Sequence, residues 1–490
     1  MIRANDRKFD GPEAGSRVVT DRIVRALDLV ASKLRGLEVA TRHLDPERQA
    51  VLAARWESLP PHVRTAAQIV GRRSVGCEGT HGVFPQCDLT CSPCYHSAEA
   101  NRVRVDGPHT IREIGRQMRY FASKRGPVSH AQLIGGEVTL LEPNDHAAAI
   151  DVMRSFGRMP MSFSHGDFSE EYLHQVTLHP DGTPRHRDIS WAVHIDTTMR
   201  GRSGAPKPQT EQELNPFRQQ VCDMFERLRR DHGIRSYLAH NMTVTPGNLG
   251  QVAEMLADCK GMGFRMFSFQ PAAYVGNEHR WEEGFREVTD DLVWAEIERG
   301  VGRSVPFGMI QFGDVRCNRT SWGVLVGDSF VPVLEEGDPL DERARDALYD
   351  TFPGNWMGVA PGLKVVKFIR AVARRPSVVP VAASWAVRFI RRSGGLRAFR
   401  NGARPITMVM HSFIDARDVA PAWDLLRQGV VSEEPAIRAA QERLDACVYS
   451  MAHPDSDEVV PACVQHSLLD PHENRQLVEL LPVRRRPVKM

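Results

Sequence analysis

Three thiols fall within eight residues, at Cys87, Cys91 and Cys94 of the stretch CDLTCSPCYHS. Thiolates are soft ligands that suit zinc and iron–sulfur clusters. A structural zinc site uses four ligands, commonly from two C-x2-C pairs. An iron–sulfur cubane normally takes four thiolates. A lone C-x3-C-x2-C triad therefore leaves one metal position without a protein ligand. An open position of that kind belongs to a catalytic centre, where a small molecule completes the coordination. Zinc held in a non-catalytic binding protein is the rival chemistry of another class.

Further along, LIGGEVTLL sets Gly135, Gly136 and Glu137 at the end of an apolar run. Glycine lets backbone approach a ligand closely, and its carbonyl can accept from an ammonium group. Polar residues recur at the ends of later apolar runs: Ser164 and His165, His194 and Asp196, His240 and Asn241, and Gln270. They are candidate ligand contacts. Each histidine taken singly reads more simply as a hydrogen-bonded strand end.

The elements that must position these residues alternate. Strands are predicted at 79–84, 130–136, 161–165, 189–195, 237–244 and 265–270. Helices are predicted at 110–124, 145–157, 216–231 and 248–261. Such alternation implies parallel pairing through right-handed crossovers. Six units point to an α/β fold, a partial (β/α)6 TIM-like barrel, with chemistry at the C-terminal ends of its strands. Residues 1–73 read as a tail and helical extension, and TDRIVRALDLVASKL carries helical periodicity. The barrel occupies 74–304. The irregular stretch 160–215, rich in His, Asp, Arg and Pro, is as consistent with a substrate-facing loop as with a solvated one. Residues 305–470 form a C-terminal α+β region, opening on the β-like SWGVLVGDSFVPVLEEGD, and 471–490 a basic tail.

Cys87-x3-Cys91-x2-Cys94 and the Gly135-Gly136-Glu137 run resemble the radical S-adenosylmethionine (radical SAM) enzymes. That resemblance implies a [4Fe–4S] cluster on the three cysteines and S-adenosylmethionine on its remaining iron. The GGE motif would bind the SAM amino group. Ser164, His194 and Asp196 become candidates for its ribose, and Gln270 for its adenine. The family usually sets an aromatic residue before the third cysteine; here Pro93 stands there and Tyr95 follows it.

Cys317, Cys447 and Cys463 form a second, dispersed group. The runs HNMTVTPGNLGQV, MFSFQPAAYVGN, RCNRTSWG and HSFIDA, with the C…HPD…VPAC stretch, resemble a subgroup containing tetraether-lipid synthases and pterin-methylating relatives. In it, C-terminal cysteines hold auxiliary clusters. By that resemblance Cys317, Cys447 and Cys463 are ligands of an auxiliary iron–sulfur cluster. The simpler reading is buried free cysteine, the role assigned to Cys222 and Cys259. Cys77 is ambiguous. The synthases' additional N-terminal cysteine motifs are missing, since residues 1–76 contain no cysteine.

Residues 361–404 carry eleven Lys or Arg and no Asp or Glu, with Val366, Phe368, Ile369, Val372, Trp385, Val387, Phe389 and Ile390 at helical spacing. Pro376 and Pro380 should divide them into two helices. A basic amphipathic helix lies on an anionic membrane or an acidic partner; the alternative is a helical cap on the barrel.

Bulk properties narrow the class. The formal net charge of +2 predicts no nucleic-acid partner. The N-terminal sequence has no apolar signal region, and no uncharged apolar run is long enough to span a membrane. The expectation is a cytoplasmic enzyme, peripheral at the membrane if the arm binds lipid. In such a compartment clustered thiols hold metal or act in catalysis. The reaction expected is reductive SAM cleavage and hydrogen abstraction from an unactivated C–H bond of a lipid or other small molecule, leading to C–C bond formation or methylation. A low-potential ferredoxin- or flavodoxin-type donor would supply the electron. The rival within the family is a peptide- or heterocycle-modifying enzyme.

Overall fold

A computed structural model describes residues 29–38, 41–42, 46–97, 99–126, 129–354 and 361–483. Residues 29–38 are helical; the rest of the helix expected from Thr20 lies outside the described residues, as do residues 484–490 of the basic tail, whose first part is instead the helix Asp470–Leu480.

The chain is mixed α/β, built on a curled, mostly parallel half-barrel sheet. The strands are β1 (Cys77–Gly79), β2 (Thr90–Cys91), β3 (Ser129–Leu133), β4 (Arg158–Ser164), β5 (Asp188–His194), β6 (Met199–Arg200), β7 (Arg235–Val244), β8 (Met266–Pro271), β9 (Asn318–Val326), β10 (Ser329–Pro332), β11 (Arg404–His411), β12 (Tyr449–His453) and β13 (Glu458–Pro461). The large sheet runs β10-β9-β11-β8-β7-β5-β4-β3-β1-β12-β13. Its six central strands, β1, β3, β4, β5, β7 and β8, are parallel and correspond to the six expected units. Helices Gly107–Arg125, Pro143–Ser155, Glu170–Thr177, Asn215–His232 and Val252–Cys259 connect them.

Alternation along each strand separates two faces. Leu133, Trp191, Val193, Leu238, Met242, Phe267 and Phe269 point outward into the core beneath the helices. Burying a side chain the size of Phe267 or Phe269 contributes about 1.5–3 kcal/mol. The opposite positions, Gln132, Met161, Phe163, His194, Asn241, Thr243, Met266, Ser268 and Gln270, line the interior. A buried ion pair crosses the sheet, with Glu78 of β1 accepting from Arg158 Nε and Nη2 of β4 at 2.9 and 3.0 Å. Arg158 Nη1 also donates to the carbonyls of Gly126 and Phe156, so this fully buried guanidinium is well partnered.

The first expected strand is displaced. The pattern of GTHGVF predicts a strand over 79–84, but β1 ends at Gly79. Gly82 adopts φ +63°, which turns the chain out of the sheet. Val83 and Phe84 then serve as buried core rather than strand. The stretch 160–215 is more regular than its composition predicts, holding β4, β5, β6 and helix Glu170–Thr177.

Strands from 305–470 join both edges of the same sheet. β11 lies parallel to β8, with the β9–β10 hairpin outside it. β12 lies parallel to β1, with β13 outside it. The connection from β11 to β12, with helices Ala416–Arg427 and Pro435–Asp445, therefore passes from one sheet edge to the other. Of the two prolines in the basic arm, only Pro376 marks a break, between helices Pro361–Arg374 and Val378–Arg392; Gly394 and Gly395, both at positive φ, make a second break before a third helix, Leu396–Gly402. Pro380 sits in the first turn of the second helix, where its missing N–H leaves no intrahelical bond unmade. Trp385 and Phe389 of that helix pack on the β9–β10 hairpin.

Candidate active site

The three-cysteine loop is tied down at several points. Cys91 pairs with Met199 in the small β2–β6 ribbon. Ser92 N–H donates to Thr198 O at 3.2 Å, and Cys87 N–H to Asn101 Oδ1 at 2.8 Å. Leu89, 4% exposed, anchors the middle of the loop. Cys87, Cys91 and Cys94 all face one cavity of about 320 Å³. Burial pushes Cys87 up to about 12 and holds Cys91 and Cys94 above the ordinary thiol value, while the cation of Arg280 acts against burial at the last two. Such thiols stay protonated at neutral pH until a metal draws them into the thiolate form.

The glycine pair answers to a steric demand. Gly136 N–H donates to Phe84 O at 2.7 Å and Glu137 N–H to Gln86 O at 2.8 Å, holding β3's end against the segment that leads into the loop. A Cβ on Gly136 would lie 2.1 Å from Gln86 O, and one on Gly135 2.7 Å from the Phe84 ring. Gly136 and Glu137 line the large cavity. Gly135 faces a smaller one, and its carbonyl accepts from Tyr95 Oη at 2.7 Å and from His96 Nε2.

Glu137 is 1% exposed. Its Oε1 accepts from Thr139 N and Oγ1 at 2.9 and 2.6 Å, and its Oε2 from His165 N at 2.7 Å. His165 Nε2 in turn meets Asp88 Oδ1 of the cysteine loop at 2.8 Å. Burial opposes the charge on His165, but the Glu137 and Asp88 carboxylates outweigh it and raise its pKa. Loop, GGE turn and β4 end are thus one hydrogen-bonded unit. Cys87, Asp88 and His165 bring potential ligand atoms within 4.8 Å of one another.

Register brings the other strand ends together. His194 of β5 stands beside Asn241 of β7, and Thr243 of β7 beside Gln270 of β8. Ser164, His194, Asn241 and Gln270 all line the cavity. Gln270 Nε2 donates to Ser268 Oγ at 2.7 Å. Asp196 is fully buried behind the wall. Its Oδ1 accepts from Thr198 N and Oγ1, and its Oδ2 from Thr243 N and His194 Nε2. Burial raises its pKa, but His194 and these donors bring it below the usual carboxylate range. It therefore orients His194 rather than facing the cavity. His240 is on the outer face and accepts from Arg218 Nε at 3.0 Å, a packing role.

The opposite wall comes from 305–470. Cys317, Cys447 and Cys463 line the same cavity, with Cys77. Asn318, His411, Arg443 and Tyr449 join them, and Arg280 lies on the cysteine-loop side. Sequence reasoning missed these last five. Arg280 follows closely on the YVGN run and Asn318 follows Cys317, so adjacency to singled-out motifs was the available signal. His411 opens the HSFIDA run and Tyr449 stands two residues after Cys447, so both had that signal too; Arg443, an ordinary residue of a helix, had none. Cys222 and Cys259 are buried on helices away from this wall, at 4% and 0% exposure.

No family model and no curated protein matches the sequence. Among solved structures, SuiB of Streptococcus suis matches at 12% identity and a TM-score of 0.28, over 43% of this chain and 42% of that one. Two structures of anSMEcpe with bound AdoMet, one carrying a polyhistidine tag and one native, match at 10% and 11% identity with TM-scores of 0.29, each over 41% of this chain and 54% of that one. The likeness spans about half or less of those chains and carries no argument about this one.

Proposed function

We propose that the chain is a radical SAM enzyme acting on an unactivated C–H bond. One observation carries this reading: three thiols on the loop after β1 share a single cavity with inward-facing polar residues from the ends of the next five parallel strands. The donor set fits a [4Fe–4S] cluster with one iron left for a small molecule. Bound there with S-adenosylmethionine, such a cluster would supply the electron for reductive cleavage of the sulfonium C–S bond.

The chain's own residues hold and screen these groups. Gly136 would offer backbone to the amino-acid part of SAM at a place in the cavity wall where a side chain cannot fit. Glu137 holds the His165 amide and so the edge of the amino-acid subsite. His194, oriented by Asp196, and Asn241 would serve the ribose, and Gln270 the adenine. Arg280 offsets the negative charge of the thiolates. Met161, Phe163, Met199, Met266 and Phe312 provide an apolar wall that excludes water and suits an apolar segment of substrate. That wall, with the exposed apolar residues of the basic arm, favours a lipid or other amphiphile, modified by C–C bond formation or methylation. The electron would come from a ferredoxin- or flavodoxin-type donor.

Anaerobic purification tests the reading. A brown protein with matched iron and sulfide, and 5′-deoxyadenosine formed from SAM under reduction, are expected. Cys91→Ala should abolish that product, and its persistence would overturn the mechanism. A colourless protein with stoichiometric zinc would instead favour a binding protein, for which the close approach of Cys87, Asp88 and His165 is the supporting observation.

A further inference from the structure

We infer that His81, His453 and Glu473 hold one divalent transition-metal cation, best matched by zinc, which staples the C-terminal helix to the β1–β12 edge of the sheet. The site is separate from the cysteine loop, and it goes beyond the proposed function without resting on it.

Three distant segments of chain meet here. His81 follows β1 by two residues, His453 ends β12, and Glu473 is in the first turn of helix Asp470–Leu480. β1 and β12 pair in parallel, with Gly79 beside Met451. Carried two residues further, that register sets His81 beside His453, and their rings stack with centroids 4.2 Å and planes 26° apart. One ligand atom from each of the three side chains lies within 4.8 Å of the other two.

Hydrogen-bond accounting shows what these atoms lack. His81 Nε2 meets Ala452 O at 2.7 Å, and a carbonyl only accepts, so Nε2 carries a proton. His453 Nε2 meets Gln465 Oε1 at 2.5 Å. The Gln465 amide nitrogen donates to Asp470 Oδ1 at 2.8 Å and Glu473 Oε2 at 3.1 Å. Its oxygen is therefore the end that faces His453, whose Nε2 also donates. Each neutral ring thus turns an Nδ1 lone pair toward Glu473. His81 Nδ1 stands 2.9 Å from Oε2, and His453 Nδ1 3.8 Å from Oε1. A lone pair against a carboxylate is repulsive unless positive charge lies between them. No Lys or Arg pairs with Glu473 among the described residues. A proton on His81 answers for one ring and leaves His453 unserved, whereas one divalent cation serves both.

Donor set and spacing suit zinc. Imidazole with carboxylate binds zinc, whereas calcium and magnesium take oxygen alone. Tetrahedral zinc sets neighbouring nitrogen and oxygen ligands about 3.3–3.6 Å apart. The contacts at 2.9 and 3.8 Å bracket that spacing. A shared ion needs each ring to turn about Cβ–Cγ, a torsion that is broad for histidine. The oxygens behind the two rings are the kind of partner that orients metal-bound imidazoles. The three side chains keep 11%, 16% and 21% of their surface exposed, which lets an ion enter and a water complete its coordination. Fixing Glu473 also fixes the turn before it, where Asp470 accepts from His466 Nδ1 at 2.7 Å and His466 lines the large cavity.

The full chain carrying Cys87→Ala, Cys91→Ala and Cys94→Ala removes the loop as a competing site, and zinc alone is the probe. After chelator treatment it should take up one zinc per chain. X-ray absorption at the zinc edge should give a first shell of nitrogen and oxygen without sulfur. Zinc should raise the melting temperature by several degrees, and calcium should not. Adding Glu473→Gln or His453→Gln should weaken zinc binding about tenfold or more and remove that rise. A sulfur first shell would assign the zinc to cysteines, and binding indifferent to both substitutions would place it elsewhere. No zinc held and no rise would leave only an imidazolium–carboxylate pair. Each of these three results overturns the inference. The melting comparison repeated without the cysteine substitutions keeps the question decidable should the triple variant misfold. No arm reads 5′-deoxyadenosine, so failure of the proposed function would appear elsewhere.

Discussion

Glu137 shows how much one side chain can organise. Its carboxylate, 1% exposed, accepts three hydrogen bonds, from Thr139 N and Oγ1 and from His165 N. Glu137→Gln keeps the shape but turns one acceptor into a donor that faces other donors. The expected cost is about 1–3 kcal/mol. It should appear as a lower melting temperature and weaker SAM binding, with loop iron retained. Gly136→Ala is harsher, because its Cβ would meet backbone oxygens at 2.1 and 2.4 Å and not a flexible side chain. Overpacking of that kind costs about 1–3 kcal/mol or more. Iron analysis should then show loss of loop metal as well as stability, since the clash falls on the segment leading to Cys87. At this scale the sequence was informative where residue type and spacing together imply chemistry. The triad and the glycine pair were legible. Asp196 was legible as polar and strand-terminal, but not as turned away from the cavity, because direction depends on partners such as Thr198 and Thr243.

Among the elements, the helix Val378–Arg392 is held to helix Pro339–Thr351 by Asp341, which pairs with Arg388 Nη2 at 2.6 Å and Arg392 Nη1 at 2.8 Å. Burial raises the Asp341 pKa, but the Glu335 N–H and both arginines outweigh it and lower it. A carboxylate lowered by folding adds stability that is present above its unfolded value of about 3.9 and is lost as pH falls through the folded value. Asp341→Asn should therefore lower stability at pH 7 by about 1–3 kcal/mol. Wild type and variant should converge in thermal melts taken progressively below pH 4. Five of the six central strands were legible from their apolar runs. β1 was not, because only three of its residues pair and the alternating text after it belongs to a glycine-turned loop.

At the scale of the whole molecule, two helices among the described residues expose neighbouring apolar side chains. On helix Pro361–Arg374, Val365, Val366, Phe368 and Ile369 are exposed, and helix 29–38 exposes Leu29, Val30, Leu34 and Leu37. The two are linked where Arg370 Nη1 donates to Thr41 Oγ1 at 2.6 Å. Apolar residues rimmed by Lys364, Arg374 and their basic neighbours complement an anionic lipid surface, each cation near it contributing about 1 kcal/mol. We propose that this face rests on such a surface. The protein should co-sediment with anionic vesicles, not with neutral ones, and release as salt rises. Phe368→Ser with Ile369→Ser should weaken binding about tenfold, which is roughly 1.4 kcal/mol. Concentration-dependent dimerisation without vesicle binding would assign the face to a second copy instead. No helix among the described residues is long and apolar enough to cross a membrane.

What the sequence determined by itself was local: periodicities of two and 3.6, and three thiols too close together to escape one loop. Those are properties of neighbouring residues, so they survive without a fold. Tertiary structure decided which distant residues meet. It turned His194 and Asn241 into neighbours by strand register, and sent the chain from β11 to β12 across the sheet. It also brought Cys77 to cysteines hundreds of residues away. Such meetings depend on how a sheet curls and which edges it leaves to be paired, and those are set by the packing of the whole chain.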